Sequence, residues 1–192
     1  MIEPRQNKSE KSQLREWMES FLWALVLVAL FYVFFSNTQV YSYSMQPTLQ
    51  EGDNLLIWRY GTLQRGDIVT FRTDEPITEA ERAMLGPIQR LVSLFSSKKT
   101  LVKRVIGLPG ETMEIKGSQV YINGEAIEES YLTDGTEGEY YAEIPEKHYV
   151  LLGDNRQHSL DSRFPEIGLV RKEDIIGKAI LRYWPLSKIE IF

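Results

Sequence analysis

The chain has 192 residues, of which 43% are hydrophobic, and this length suits one ordinary domain with an attached segment. The formal net charge is -5, so the chain lacks the excess of basic residues that binds duplex nucleic acid. No nucleic-acid partner is expected. It contains no cysteine and only His148 and His158, which excludes disulfides, a cysteine nucleophile and histidine-rich metal sites. We expect neither a metal nor another cofactor.

An uncharged stretch runs from Ser20 to Gln50, and the part from Phe21 to Phe35 is apolar throughout except for the Tyr32 hydroxyl. Together with its flanks it approaches the roughly 20 residues that a helix needs to cross the hydrocarbon core of a bilayer. We therefore predict a transmembrane anchor over residues 17–40. The aromatic side chains expected at the membrane surfaces are Trp17, Trp23 and Tyr32.

The charges around the span predict its orientation. Four basic residues precede it and none follows it for a long way; they are Arg5, Lys8, Lys11 and Arg15. Because cytoplasmic flanks are enriched in Lys and Arg, we predict a single-pass protein of the cell membrane. Residues 1–16 would form a cytoplasmic tail and residues 41–192 an extracytoplasmic domain.

Two other interpretations of the apolar run remain open. A cleavable secretory signal ends in a small-x-small site, to which Ser36-Asn37-Thr38 is a weak match. A core helix of a globular domain normally keeps one polar face, and this run has none. The membrane span fits the run best.

The domain after the span is predicted to be mainly β and antiparallel, because short alternating apolar runs are separated by Gly, Pro and Asn. Asn123-Gly124 is a strong two-residue hairpin signal, and Lys116-Gly117-Ser118 marks another turn. Residues 111–127 therefore resemble a small antiparallel meander. The predicted strands are Asn54–Trp58, Asp67–Phe71, Leu101–Ile106, Thr112–Ile115, Gln119–Ile122, His148–Leu152 and Lys178–Tyr183.

One insert, residues 76–100, has helical spacing instead, with Thr78 as an N-cap and Gly86-Pro87 as an interruption. Its apolar and basic residues make it amphipathic. It could pack onto the β core or lie on the membrane surface, and the sequence leaves both open.

Two segments could carry a serine-lysine pair. Ser44 lies in Ser42–Leu49, a few residues beyond the span, and Lys103 lies on the predicted strand face of Leu101 and Val105. At a pKa of about 10.4 only roughly one lysine in a thousand is neutral near pH 7.4, so a lysine base needs a lowered pKa, which apolar burial supplies. Either residue also has an ordinary interpretation, as a turn serine or as a lysine whose head reaches water.

A third segment, Gly153–Arg163, is densely polar and contains His158 between two aspartates, Asp154 and Asp161. A Ser-His-Asp triad is the alternative to a lysine base. However, His158 lies in a polar run, and no serine lies in a G-x-S-x-G elbow. An incidental loop histidine is therefore the preferred interpretation.

In this order, after an N-terminal span, the segments resemble the bacterial type I signal peptidases, the leader peptidases of the membrane. Each of these motif segments, or boxes, is a weak signal alone, but their order and combination are highly specific to the family. Tyr43 departs from the family, since many members carry glycine there, and leaves the fine shape of the site open. The boxes are Ser42–Leu49, Arg65–Phe71 (RGDIVTF), Lys103–Gly110 (KRVIGLPG) and Gly153–Arg163.

The resemblance implies that Ser44 is the nucleophile and Lys103 its general base. It further implies an oxyanion hole made by the Ser44 backbone N–H and the Ser42 hydroxyl, which suits a developing negative charge. Ser159 would orient the lysine amine. The supporting positions are an ion pair of Asp161 with Arg163, and Asp154.

The implied reaction is removal of signal peptides from secretory precursors after a small-x-small motif such as Ala-x-Ala, at the surface of the lipid bilayer. An organellar processing peptidase of the same family would share these motifs. A self-cleaving repressor-type Ser-Lys protease would lack the span. A catalytically inactive relative that serves as a membrane assembly factor would be expected to lack Lys103.

Overall fold

The computed structural model describes residues 10–84, 90 and 98–192. It opens with a long helix, α1 (Glu10–Phe34). Within it, Gln13–Phe34 is long and apolar enough to cross a membrane, with a mean hydropathy of 1.9, and its apolar window is not buried against the rest of the protein. A core helix would be buried, so that interpretation of the apolar run is wrong. Arg5 and Lys8 lie outside the described residues.

The helix differs in its bounds from the predicted anchor over residues 17–40. It begins at Glu10, and strand β1 (Phe35–Gln39) follows it with no intervening residue. β1 pairs antiparallel with β2 (Asn54–Trp58), so that Phe35 lies opposite Trp58 and Gln39 opposite Asn54. Hydropathy did not indicate β1, because the polar residues after Phe35 are held in a strand by their hydrogen bonds to β2.

Ten further strands and the short helix α2 follow in the described part of the chain, together with four 3-10 turns. The remaining elements are β3 (Ile68–Pro76), α2 (Glu79–Met84), β4 (Lys98–Gly107), β5 (Thr112–Lys116), β6 (Gln119–Ile122), β7 (Glu125–Ala126), β8 (Tyr140–Glu143), β9 (His148–Leu152), β10 (Val170–Arg171), β11 (Ile175–Trp184) and β12 (Glu190–Ile191).

Two antiparallel sheets form the outer domain. The larger has the order β1-β2-β11-β3-β4-β9-β10, with β12 paired to β11, and the smaller has the order β7-β6-β5-β8. The predicted fold class, mainly β and antiparallel after one N-terminal helix, is therefore confirmed. All seven predicted strands are present, and β2, β6 and β9 match at both ends.

The strands that the sequence did not predict lack a strong apolar period. β8 (YYAE) alternates only between half-buried and exposed residues, and β10 and β12 have two residues each. Such short or edge strands gain their stability from the neighbours they pair with rather than from their own pattern.

Both predicted turns of the small sheet are confirmed. Asn123 and Gly124 have φ of 51° and 83°, and Gly117 and Ser118 have φ of 56° and 63°. These left-handed conformations suit two-residue hairpins. The meander over residues 111–127 is therefore β5-β6-β7, and β8 extends it on the other side of β5.

The insert predicted over residues 76–100 is shorter than expected at both ends. Pro76 belongs to β3, and Lys98 to Thr100 belong to β4. The helical part that the structure describes is α2, where the Arg82 amide donates to the Thr78 carbonyl. The predicted apolar face and the Gly86-Pro87 interruption lie outside the described residues.

The core lies on both faces of the large sheet. Neighbouring residues of β9 enter different clusters: Leu151 packs with β3 and Val105, whereas Leu152 packs with the small sheet. This is the alternation of a strand that is buried on both sides. Lys103 lies opposite Val69 in register, and Val69 belongs to the Leu151 cluster.

Gly177 of β11 lies very close to the backbone at the end of β2. A Cβ there would lie 2.2 Å from the Trp58 carbonyl oxygen and 2.9 Å from Arg59 Cα. Gly177→Ala should therefore lower the free energy of unfolding by about 1–3 kcal/mol, the cost of overpacking. Denaturant unfolding of the full chain in detergent measures this.

Lys178→Ala, at the next residue, is the control. It removes only a half-exposed contact with Asp67 at 3.4 Å, so it should cost less than about 1 kcal/mol. Equal stabilities of the two variants would contradict the close approach at Gly177.

Candidate active site

Ser44 is positioned by buried neighbours on its own segment. After β1 the chain makes a short 3-10 turn, Tyr43–Met45. Met45 and Leu49 are both fully buried in a cluster with residues of β2, β3 and β11. These side chains anchor the segment. Ser44 is therefore held in a buried position, with only 7% of its area exposed.

Lys103 is the nearest basic group to the Ser44 hydroxyl. Its side chain leaves the middle of β4 and is 2% exposed. Nζ donates to Ser44 Oγ at 2.6 Å and to the Val102 carbonyl at 3.1 Å. The structure thus brings together the two residues that the sequence singled out, 59 positions apart.

Burial lowers the pKa of Lys103 from 10.5 to about 8. Desolvation is the largest cause, since a charged amine loses its hydration in the interior. The negative charges of Asp161 and Asp154 act in the opposite direction, and the positive charges of Lys99 and Arg163 add to the lowering. At a pKa of about 8 roughly one fifth of the amine is neutral at pH 7.4, compared with roughly one part in a thousand for an ordinary lysine.

Ser42 lies on the same side of the turn as Ser44. The two hydroxyl oxygens are 3.1 Å apart, so Ser42 Oγ is within hydrogen-bonding distance of Ser44 Oγ. Tyr43 between them is exposed.

The segment after β9 contacts the Tyr43–Met45 turn through its backbone. The Asn155 amide donates to the Ser44 carbonyl at 3.0 Å, and Asn155 Nδ2 donates to the Tyr43 carbonyl at 3.2 Å. Gly153 makes this approach possible, since a Cβ there would lie 2.4 Å from the Ser44 carbonyl oxygen. Any other residue at position 153 would push the two segments apart.

Asp161 and Arg163 form an ion pair within this segment. Arg163 Nε and Nη2 each donate to one carboxylate oxygen at 2.9 Å, and Arg163 Nη2 also donates to the Arg156 carbonyl. The Gly153 amide donates to Asp161 Oδ2 at 3.0 Å. The carboxylate is fully buried, so the pair holds the start and the end of the segment together.

Asp154 forms a second buried ion pair, whose partner the sequence did not suggest. Arg104 binds both of its carboxylate oxygens, at 2.8 and 2.6 Å, and Thr48 Oγ1 donates to Oδ2 at 2.6 Å. Arg104 directly follows Lys103, so strand alternation sends the two side chains to opposite faces of β4. The position of Arg104 directly after Lys103 was the only sequence feature that could have indicated its place beside the site.

A third pair lies behind the second and was also missed. Arg156 donates to both carboxylate oxygens of Glu129, at 2.8 and 2.5 Å, and its Nε donates to the Gly153 carbonyl at 3.0 Å. The Tyr131 ring lies 3.9 Å from the Arg104 guanidinium carbon. The chain around residues 129–131 thus supports the site from outside its sequence boxes.

Ser159 does not make the contact that the resemblance implies. Its Oγ is buried, yet it has no hydrogen-bond partner within the described part of the chain, whereas Lys103 Nζ is held by Ser44 and Val102. Its Oγ lies 2.2 Å from the position of a Cβ on Gly153. Ser159 thus adjoins the site, but an orienting hydrogen bond to the amine is not formed here.

His158 is exposed, and its Nδ1 lies 3.2 Å from Asn155 Oδ1. The Ser44 hydroxyl is held by Lys103 and Ser42 instead. This geometry gives no support to a histidine base. Over residues 10–84, 90 and 98–192, no group of three or more Asp, Glu or His side chains could hold a metal ion.

Comparison with known proteins gives a consistent result. The family model "Signal peptidase, peptidase S26" matches residues 14–184. Signal peptidase I P of Bacillus subtilis subsp. natto is 33% identical over 95% of this chain and 95% of its own length. Signal peptidase I of Bacillus licheniformis is 32% identical over 94% of each chain. A crystal structure of a signal peptidase I from Enterococcus faecalis is 28% identical, with a TM-score of 0.44 over 62% of this chain and 97% of that one.

Replacing Lys103 by methionine tests the cost of the buried amine. The lowering of its pKa from 10.5 to about 8 corresponds to about 3 kcal/mol of lost stability at neutral pH. Between pH 8 and 10.5 the unfolded chain binds more protons at this site than the folded chain, so wild-type stability rises with pH there. Lys103→Met should be more stable than wild type at pH 7, and the difference should shrink between about pH 8 and 10.5.

Denaturant unfolding of both proteins in detergent, at a series of pH values, measures this difference. Lys178→Met is the matched control, since Lys178 is half-exposed beside Asp67, and it should give no stabilisation at pH 7. A difference between wild type and Lys103→Met that does not change with pH would contradict the burial cost.

Proposed function

The chain belongs to the signal peptidase family, peptidase S26, and we propose that it removes signal peptides through Ser44 and Lys103 at the outer surface of a membrane. Members of this family are serine endopeptidases. The observation that carries the proposal is the 2.6 Å hydrogen bond between Lys103 Nζ and Ser44 Oγ, with the lysine almost fully buried.

In the first step the neutral Lys103 amine accepts the proton of the Ser44 hydroxyl, and Ser44 Oγ bonds to the carbonyl carbon of the scissile peptide. The carbonyl oxygen becomes an oxyanion. The Ser44 backbone N–H and the Ser42 hydroxyl would donate to it, which the 3.1 Å spacing of the two serine oxygens supports.

The tetrahedral intermediate collapses when the peptide C–N bond breaks. The Lys103 ammonium returns its proton to the leaving nitrogen, so the mature protein departs with a free amine and the signal peptide stays as an ester on Ser44. The neutral amine then accepts a proton from water, whose oxygen attacks the ester. The carboxylic product leaves, and Ser44 regains its proton from Lys103.

The substrate class comes from the resemblance to signal peptidases. We propose cleavage after a small-x-small motif such as Ala-x-Ala, in a precursor bound as an extended strand. An extended chain places alternate side chains on one side, so two small residues at alternating positions would enter neighbouring pockets.

The membrane setting rests on α1 and on the charges that precede it. Gln13–Phe34 would span the bilayer, and the basic residues of the tail would hold the N-terminus in the cytoplasm. Ser44 lies nine residues after Phe35, so the site would stay close to the outer surface, where translocated precursors emerge. Secretory precursors and the lipid bilayer are thus the proposed partners.

A comparison of three variants tests the proposed base. Ser44→Ala and Lys103→Ala should each lower cleavage of a secretory precursor by at least about 10³-fold, because nucleophile and base act as one unit. His158→Ala should retain activity. The assay uses the purified full chain in detergent. Full activity of Lys103→Ala together with inactivity of His158→Ala would show that the base is wrongly assigned, and an inactive wild type would favour an assembly factor.

The pH dependence tests the electrostatics of the site. Only the neutral amine accepts the serine proton, so kcat/KM should rise with pH through about 8. Arg163→Gln leaves the buried Asp161 carboxylate without its cation. The negative charge then favours the Lys103 ammonium and should raise the midpoint by about 1 pH unit.

The control for this shift is Arg171→Gln. Arg171 is exposed and pairs with Glu173 and Asp174 on the surface, so its removal should leave the midpoint unchanged. Equal midpoints for wild type and Arg163→Gln would contradict the influence of Asp161 on the lysine.

A further inference from the structure

The junction between α1 and the outer domain contains no linker. Phe34 is the last residue of the helix and Phe35 the first of β1, which pairs with β2 along its whole length. The Arg59 amide donates to the Phe34 carbonyl at 3.0 Å, and Arg59 Nη1 donates to the Tyr32 carbonyl at 3.4 Å. The residue after β2 therefore binds the end of the helix directly.

Arg59 supplies what the helix end lacks. The last carbonyls of a helix have no partner within it, and this end carries partial negative charge. α1 has no basic residue in its last turn. The guanidinium and amide of Arg59 thus provide donors and a positive charge from the sheet, and this links helix stability to the position of the outer domain.

Five aromatic side chains surround the same junction, and we call them the aromatic joint. The Trp58 ring is stacked on Phe34 with centroids 5.8 Å apart, and it contacts Phe35 at 5.0 Å and Tyr60 at 6.1 Å. Such ring pairs are favourable beyond the apolar area that they bury. The members of the aromatic joint are Phe31, Phe34, Phe35, Trp58 and Tyr60.

Trp58 is also fixed from the opposite side. β11 pairs with β2 there, and its Gly177 approaches so closely that a Cβ would lie 2.2 Å from the Trp58 carbonyl oxygen. The backbone of Trp58 is thus held between β1 and β11. Rings attached to such a backbone are rigid partners for the helix end, unlike rings on a free loop.

We propose that the aromatic joint and Arg59 hold Ser44 at one fixed position relative to the bilayer, and that Trp58, Arg59 and Tyr60 are positioning residues for membrane-inserted precursors. This rests on the proposed function. A precursor whose apolar segment lies in the bilayer presents its scissile bond at a depth that the bilayer sets. Ser44 meets that bond only if its own position is set by the same bilayer, and small misplacements of reacting groups are costly.

The first experiment measures the joint without any catalytic readout. The chain has no cysteine, so Leu22→Cys in the helix and Tyr43→Cys beside the nucleophile give a unique pair of spin-label sites. In proteoliposomes the wild-type background should give one narrow distance distribution. Adding Trp58→Ala with Tyr60→Ala, or inserting two glycines between Phe34 and Phe35, should broaden it. If neither the double alanine variant nor the glycine insertion changed the distribution, the aromatic joint would not be what fixes the helix relative to the outer domain.

The second experiment compares two substrates. For full-length Trp58→Ala with Tyr60→Ala, kcat/KM on a short soluble peptide should stay within about twofold of wild type, whereas cleavage of a membrane-inserted precursor should fall by at least about tenfold. Trp58→Phe with native Tyr60 should restore most of the precursor cleavage. Tyr141→Ala, an exposed tyrosine of the small sheet, is the matched control and should cleave both substrates normally.

The outcomes separate the two proposals. Equal losses on the peptide and the precursor, or no loss on the precursor, would show that the joint does not position the site. A wild-type chain that cleaves neither substrate would contradict the proposed function, even where the distance distributions broaden as expected.

Discussion

The burial of the Lys103 amine beside Ser44 is the constraint on which the rest of the site depends. A lysine in the interior is stable only when its amine is neutral or its charge is matched by counter-charges. The neutral amine is also the form that accepts a serine proton. The strand pairing of β4, the buried anchors Met45 and Leu49, and the segment after β9 together keep this pair out of water. The fold therefore bears a cost in stability that the proposed chemistry would require.

Paired charges explain how acidic residues lie near Lys103 and yet do not raise its pKa to the ordinary value. Each buried carboxylate near the site is bound by its own arginine: Asp154 by Arg104, Asp161 by Arg163 and Glu129 by Arg156. Because each positive charge offsets its partner, desolvation stays the dominant influence on the pKa of Lys103. Removal of one partner would leave an uncompensated charge in the interior, which is far more costly than exchanging the whole pair.

The sequence predicted what is local, and it missed what depends on distant partners. Strong alternation located β2, β6 and β9, and the order of the boxes pointed to Ser44 and Lys103. β1 was hidden because the apolar run continues into its first residue. The pairing of Arg104 with Asp154 joins positions 50 apart, and only the strand order brings them together. The geometry at Ser159 could not be predicted either, since it depends on how closely Gly153 approaches the Tyr43–Met45 turn.

The central claim is that Lys103 is a buried amine with a lowered pKa, and titration of that amine by NMR tests it most directly. The full chain in detergent, with isotope-labelled lysine side chains, would be followed from pH 6 to 11, and the Lys103 signal assigned by its loss in Lys103→Met. We expect this signal to titrate near pH 8. A midpoint at the ordinary value of about 10.4 would mean that the amine is charged at neutral pH and would contradict its proposed role as the base.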